Sequence, residues 1–205
     1  LQPLTLAVAL TALPTTALAG ASTASDLSYT YVRLSAFKGE ADAIDIDGFA
    51  TDASVSISEQ FYLTAGYAET KAESTYDYAD IDLVGFGIGF HAPIDNGIDF
   101  IAEFEYADAK TNNGWNSVSD SAYGLNFGFR GMDTGALEWR MGLQIVDISS
   151  KASTSGYIGA DYFVTDTISL GLDYEKSKDS DAISVNARYN FCLLYTSDAA
   201  DDLLC

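Results

Sequence analysis

The sequence predicts an all-β chain folded as an antiparallel, up-and-down transmembrane β-barrel of about ten strands, with eight as the alternative. Three observations carry that reading. The segment Ala182–Phe191 puts Ile183, Val185, Ala187, Tyr189 and Phe191 on one side of a strand and Ser184, Asn186, Arg188 and Asn190 on the other. Similar segments recur along the chain, so a lone half-buried strand, which alternates in the same way, does not account for the pattern. The apolar side also ends on two aromatics, as a lipid-facing strand of about ten residues does at an interface.

Both ends of the chain fall outside this pattern. Leu4 to Leu13 is an uncharged apolar run, followed by Pro14 and the small-x-small triplet Ala17-Leu18-Ala19. It is shorter than the roughly 20 apolar residues a spanning helix needs, so residues 1–19 are expected to be an export signal truncated at its start and cleaved near Ala19. Residues 192–205 (CLLYTSDAADDLLC) lack alternation and hold both cysteines of the chain. They resemble the translated read-through of a sequencing-library adaptor, and are set aside from the fold as a non-native tail; a short native tail is the other reading. Residues 27–191 are then the barrel, without a cysteine for a disulfide or a thiol nucleophile.

Composition excludes some functions. The chain carries 30 acidic and 10 basic residues, a formal charge of −20, which becomes −17 once the tail's Asp198, Asp201 and Asp202 are removed. A nucleic-acid partner needs a basic surface and is not expected. Abundant Tyr and Phe, few Pro and regularly spaced turn residues favour antiparallel strands.

Each segment is justified by its own alternation. The first, about Ser28–Phe37, sets Thr30, Val32, Leu34 and Ala36 against Tyr29, Tyr31, Arg33 and Ser35. The second, about Asp47–Ile57, sets Phe49, Thr51, Ala53, Val55 and Ile57 against Asp52, Ser54 and Ser56. A tight turn at Ser58-Glu59-Gln60 leads to Phe61, Leu63, Ala65 and Tyr67, and an acidic loop through Asp77 leads to Val84, Phe86, Ile88 and Phe90. Past Pro93 and Asp95-Asn96-Gly97, the fifth segment sets Ile98, Phe100, Ala102, Phe104 and Tyr106 against Asp99, Glu103 and Glu105. The longest loop is expected over about Asp108–Asp120. The sixth segment sets Tyr123, Leu125, Phe127 and Phe129 against Asn126 and Arg130. The seventh sets Leu137, Trp139, Met141, Leu143 and Ile145 against Glu138, Arg140 and Gln144. In the eighth, Gly156–Phe163, Asp161 interrupts the pattern. The ninth sets Ile168, Leu170, Leu172 and Tyr174 against Asp173 and Glu175, and the closing segment follows.

Charge decides which face meets lipid. Arg or Lys facing mid-bilayer costs about 2–4 kcal/mol, so the apolar sets point outward; reversal would expose Glu103, Arg140 and Asp173 together. Strand glycines such as Gly85, Gly87, Gly124, Gly128 and Gly142 share the parity of the polar residues. The lumen is therefore expected to hold Arg, Glu and Tyr packed over glycine. A soluble lipocalin-like barrel has the opposite polarity.

On Tyr29-Thr-Tyr-Val-Arg33 and the ending Arg188-Tyr-Asn-Phe191, with the alternation across residues 27–191, the chain resembles the small outer-membrane β-barrels of Gram-negative bacteria, the OmpA-transmembrane-domain and OmpX-like group. About ten strands and no peptidoglycan-binding domain depart from that group's best-known members. The resemblance implies an outer-membrane location with both barrel ends periplasmic. Its partners would be outer-membrane lipid, lipopolysaccharide and, during biogenesis, the barrel-assembly machinery. It also implies that Tyr189 and Phe191 form the signal which that machinery reads.

Little enzyme chemistry is visible. His91, the one histidine, is expected to be a polar rim residue at a turn, without a Ser or acidic partner in its local sequence. No zinc spacing or nucleotide-binding glycine motif is present, so no cofactor and no catalytic residue is expected. The candidate functional residues are instead a polar lumen network: Asp99, Glu103, Glu105, Asn126, Arg130, Glu138, Arg140 and Arg188. Hairpin pairing is expected to place Asp99 near Arg130, and Glu103 near Asn126 and then Arg140. Such charges need partners inside a barrel, and small barrels are usually filled, which favours a plug over a narrow cation path. Acidic outer loops, including Asp45/Asp47, Asp77/Asp80/Asp82 and Asp179/Asp181, are candidates for weak divalent-cation binding. The expected role is structural or surface interaction; a narrow pore for small cations or polar solutes is the alternative, and a lipid- or protein-cleaving barrel enzyme a third.

Overall fold

The computed structural model describes residues 27–191 apart from 43, 74–77, 96, 113, 115, 134–135 and 149–150. The export signal and the tail lie outside the described residues, as does Asp77. The described strands are β1 (Tyr31–Ala41), β2 (Ile44–Ser56), β3 (Phe61–Glu73), β4 (Tyr78–Asp95), β5 (Ile98–Asn112), β6 (Ser117–Asp133), β7 (Leu137–Ile148), β8 (Lys151–Phe163), β9 (Ile168–Ser177) and β10 (Ser180–Asn190). Each pairs antiparallel with the next, and β1 pairs with β10, closing a barrel of ten strands rather than eight. Tyr31 lies opposite Asn190, so the start of β1 and the end of β10 share one end of the barrel, called lower here.

The lower turns are short and held by hydroxyls. Ser58 Oγ accepts from the backbone N–H of Phe61 at 3.0 Å, and Thr165 Oγ1 accepts from that of Ile168 at 2.9 Å. Such side-chain-to-backbone bonds satisfy groups that a two-strand connection leaves unpaired. At the β4–β5 turn the register shifts between Pro93 and Asp95, where proline cannot donate to the ladder, and Gly97 takes a φ of 73° that favours glycine.

At the upper end the strands outrun their expected limits. β5 continues to Asn112 and β6 begins at Ser117, so most of the expected Asp108–Asp120 loop is paired sheet. Asp45 and Asp47 lie in β2, Asp80 and Asp82 in β4, and Asp181 in β10, so these acids stand on strands rather than loops. The physical reason is a reversal of polarity. Along β4, residues Ala79, Ile81 and Leu83 are buried inside, while Val84, Phe86 and Ile88 point out. The same change of parity falls at adjacent apolar pairs on seven strands: Ala36-Phe37, Phe49-Ala50, Tyr67-Ala68, Leu83-Val84, Tyr106-Ala107, Ala122-Tyr123 and Ile145-Val146. Below it the barrel is apolar outside and polar within. Above it these seven strands are charged outside and mostly apolar within, and their hydrogen-bonded ladder continues because its inner face has a core to bury.

The outward apolar residues form a belt that is nine residues tall on β5 (Ile98–Tyr106) and β7 (Leu137–Ile145), which at the usual rise and tilt spans about 25 Å. Aromatic pairs mark both edges. Phe86–Tyr106 and Tyr106–Tyr123 contact at 5.3 and 5.4 Å near the upper edge. Phe61–Phe90, Phe100–Phe129 and Tyr189–Phe191 do so at 5.4, 5.8 and 4.7 Å near the lower.

Candidate functional site: the barrel lumen

The inward residues of the lower barrel form a polar network built around Glu138, which is fully buried. β6 and β10 flank it with arginines. Arg130 donates from Nε and Nη2 to the two carboxylate oxygens at 2.6 and 2.8 Å, and Arg188 donates from Nη1 and Nη2 at 2.8 and 2.5 Å. Paired forks of this kind fix geometry as well as supplying energy. Arg130 lies 4.2 Å above the Tyr29 ring, and Arg188 lies 5.2 Å from the rings of both Tyr31 and Phe163, so the guanidinium planes are packed as well as bonded.

Asp161 of β8 is the second centre. It accepts from Arg140, and its Oδ2 lies 3.8 Å from Arg33 and 3.9 Å from Arg188. Arg140 also donates to Asp173, which accepts from Asn186 at 2.8 Å and Ser184 at 3.3 Å. A third group lies across the lumen, where Glu103 accepts from Tyr62 at 2.6 Å and from Asn126 at 2.5 Å. Glu105 packs one level higher, against Gly124 and Gly87.

Several placements differ from the sequence expectation. Asp99 does lie opposite Arg130, and Glu103 opposite Asn126, but the row then continues to Gln144 and not to Arg140. Arg140 stands opposite Arg130, and the two guanidiniums are tolerated because Glu138 and Asp161 supply separate carboxylates. His91 is buried rather than placed on the rim, with Nδ1 3.0 Å from Asp99 and its ring stacked on Tyr29 at 4.5 Å. Its acidic partner was hidden because the β4–β5 hairpin brings together residues eight apart. Asp161 does not interrupt its strand: it shares the inward parity of Tyr157 and Gly159. Arg33, Asp52, Asp161, Asp173 and Tyr62 belong to this lumen but were not among the expected network residues. Inward parity was the available signal.

Apolar groups bound the polar layer on both sides. Leu27 and Tyr29, from the segment preceding β1, pack with Tyr62 and Ile101 at the lower mouth, with Met132 against them. Above the network, Phe37, Ala50, Ala68, Ile81, Leu83, Ala107, Ala109, Ala122, Val146 and Ile148 make one buried cluster. The expected Arg, Glu and Tyr packed over glycine therefore describe the middle level of the lumen. All four arginines of the chain lie in that level, and all six lysines are exposed around the upper end. Among the described residues no three acidic or histidine side chains converge to hold a metal ion.

The site and fold together define a closed ten-stranded antiparallel β-barrel whose lower part is apolar outside and charge-lined within. In shape it is similar to the translocator domain of the autotransporter NalP from Neisseria meningitidis, with a TM-score of 0.49 and 12% identity, covering 81% of this chain and 90% of that one. It is also similar to the KdgM porin, with a TM-score of 0.46 and 7% identity over 78% of this chain and 99% of that one. Neisserial surface protein A matches with a TM-score of 0.40 and 13% identity over 80% and 96% of the two chains. No family model and no curated protein matches the chain.

Proposed function

We propose that this protein is a non-enzymatic barrel of a Gram-negative outer membrane, with a lumen closed to ions and a role in envelope structure or surface contact. The observation that carries the reading is the arrangement of the interior. Two buried apolar clusters bracket a layer in which Glu138 and Asp161 hold the arginines. An open pore keeps a hydrated path past its charges, whereas here Arg33, Arg188, Glu138 and Asp161 are each almost wholly buried. The apolar belt with aromatic edges supports the membrane setting, since water-facing sheets do not carry continuous apolar patches of this size.

The lower end, with the short turns, faces the periplasm in this reading, and the long charged strand ends stand outside the cell. Tyr189 and Phe191 then lie on the lipid face at the periplasmic edge, where the assembly machinery would meet them. The test is conductance of the purified protein in planar bilayers in molar KCl. Silence is expected; steady, salt-dependent unit steps would overturn the closed-lumen reading and leave the narrow pore in its place.

A further inference from the structure

The lower mouth is filled by residues that belong to no strand. The ladder of β1 begins at Tyr31, opposite Asn190 and Ser54, and Leu27, Ser28 and Tyr29 precede it. Leu27 and Tyr29 are nonetheless wholly buried. The Tyr29 ring stacks on the His91 imidazole, with centroids 4.5 Å apart, and lies 4.2 Å from the Arg130 guanidinium carbon. Its hydroxyl donates to Asp99 Oδ2. Immediately before it, the Ser28 carbonyl accepts from Arg130 Nη2 at 2.7 Å, and Leu27 packs in the cluster with Tyr62 and Ile101.

The walls around this segment are held by bonds of their own. His91 Nδ1 and Asp99 Oδ2 meet across the β4–β5 hairpin at 3.0 Å, Arg130 is forked onto Glu138 at 2.6 and 2.8 Å, and Tyr62 is tied to Glu103 at 2.6 Å. Strands β3 to β6 therefore preset the site, whereas Leu27–Tyr29 add nothing to the ladder that closes the barrel. A preset site avoids most of the ordering cost of binding. We propose that the lower mouth is a receptor for a tyrosine on an extended peptide, and that this chain occupies it in cis with Tyr29 as a releasable latch. Each contact selects for that ligand. The guanidinium and the imidazole take a π-face, the carboxylate takes a hydroxyl at the far end of the ring, and the guanidinium also takes the main-chain carbonyl one residue earlier. Phenylalanine would lose the bond to Asp99, and leucine would lose both ring contacts as well. A tyrosine-bearing segment of a second protein takes the same place when the latch is displaced. That this partner is periplasmic rests on the orientation proposed above; the site itself does not, and its occupancy is read independently of conductance.

The experiment follows the imidazole protons of the chain's one histidine by NMR, in the full chain refolded in detergent micelles. Stacking on Tyr29 should hold them upfield of a free imidazole in the parent. The double variant Leu27→Asp/Tyr29→Ala, which removes both side-chain anchors of the latch, should move them back. N-acetyl-L-tyrosinamide, whose acetyl carbonyl stands for that of Ser28, should then return them upfield along a saturating curve in the double variant and leave the parent unchanged. N-acetyl-L-phenylalaninamide should bind at least tenfold more weakly, and N-acetyl-L-leucinamide not at all. Heat-modified gel mobility checks folding, and a double variant that cannot fold overturns the proposal, because the latch would then be part of the barrel. It is equally overturned if the tyrosine amide does not saturate, if the phenylalanine or leucine amide binds as well, or if the parent takes up the tyrosine amide as the variant does.

Discussion

Met141→Arg separates a membrane barrel from a water-soluble one most directly. Met141 is the middle of five outward belt residues on β7, Leu137 to Ile145, and is 43% exposed. Its register neighbours are Phe129 on β6 and Ile158 on β8, both outward and apolar, so an arginine there meets no carboxylate. In lipid the guanidinium must reach toward an interface half a belt away, and the cost at mid-bilayer is about 2–4 kcal/mol. On a surface facing water the same exchange stays within about 0.5 kcal/mol. Val118→Arg is the control: Val118 is 56% exposed on β6, five residues beyond Tyr123 and above the belt. Both variants are unfolded with urea from lipid vesicles and followed by tryptophan emission. A loss at Met141 no greater than that at Val118 would refute the belt as a lipid-facing surface.

Two further substitutions test the interior. Glu138→Gln keeps size but leaves Arg130 and Arg188 facing a neutral amide, and should cost about 3–5 kcal/mol in the same unfolding assay, as expected for breaking a buried ion pair. A loss under about 1 kcal/mol would mean that water solvates both guanidiniums. Leu83→Ala and Val84→Ala probe adjacent residues on opposite faces. Leu83, 1% exposed in the upper cluster, should lose about 2–5 kcal/mol on truncation, and Val84, 57% exposed, clearly less. Equal losses would argue against a packed upper core.

The alternation of residues such as Ile98, Phe100, Ala102, Phe104 and Tyr106 was legible because lipid and lumen demand opposite chemistry at a period of two. Hairpin register was legible too, where a tight turn fixes the offset, as for Asp99 opposite Arg130. Contacts that cross the barrel were not. Glu138 meets Arg188 fifty positions away, and Tyr62 meets Glu103 across forty-one, and nothing in either local sequence carries that distance. The upper strand ends were hidden for another reason. At Tyr106-Ala107 and Ile145-Val146 the apolar residue moves to the other parity, so a window spanning the change shows no alternation at all.

That change of parity bears on how the barrel meets its surroundings. A soluble barrel keeps its apolar residues inside along its whole height, and an open transmembrane pore keeps its polar residues inside to both mouths. Here seven strands switch within one level, next to the aromatic pairs of the upper edge. The cationic residues are sorted by the same level. Arginine, always charged and able to fork onto a carboxylate, fills the polar lumen beneath the switch, while lysine, a strongly hydrated point charge on a flexible stem, stands outside above it. Outside lipid the outer face no longer has apolar solvent to meet, so polar groups take it. The inner face of β4 to β7, relieved of carrying them, buries alanine, isoleucine and leucine. A barrel that leaves the bilayer partway along its strands requires both changes at one height, which is why the reversal marks the upper edge of the belt on these seven strands.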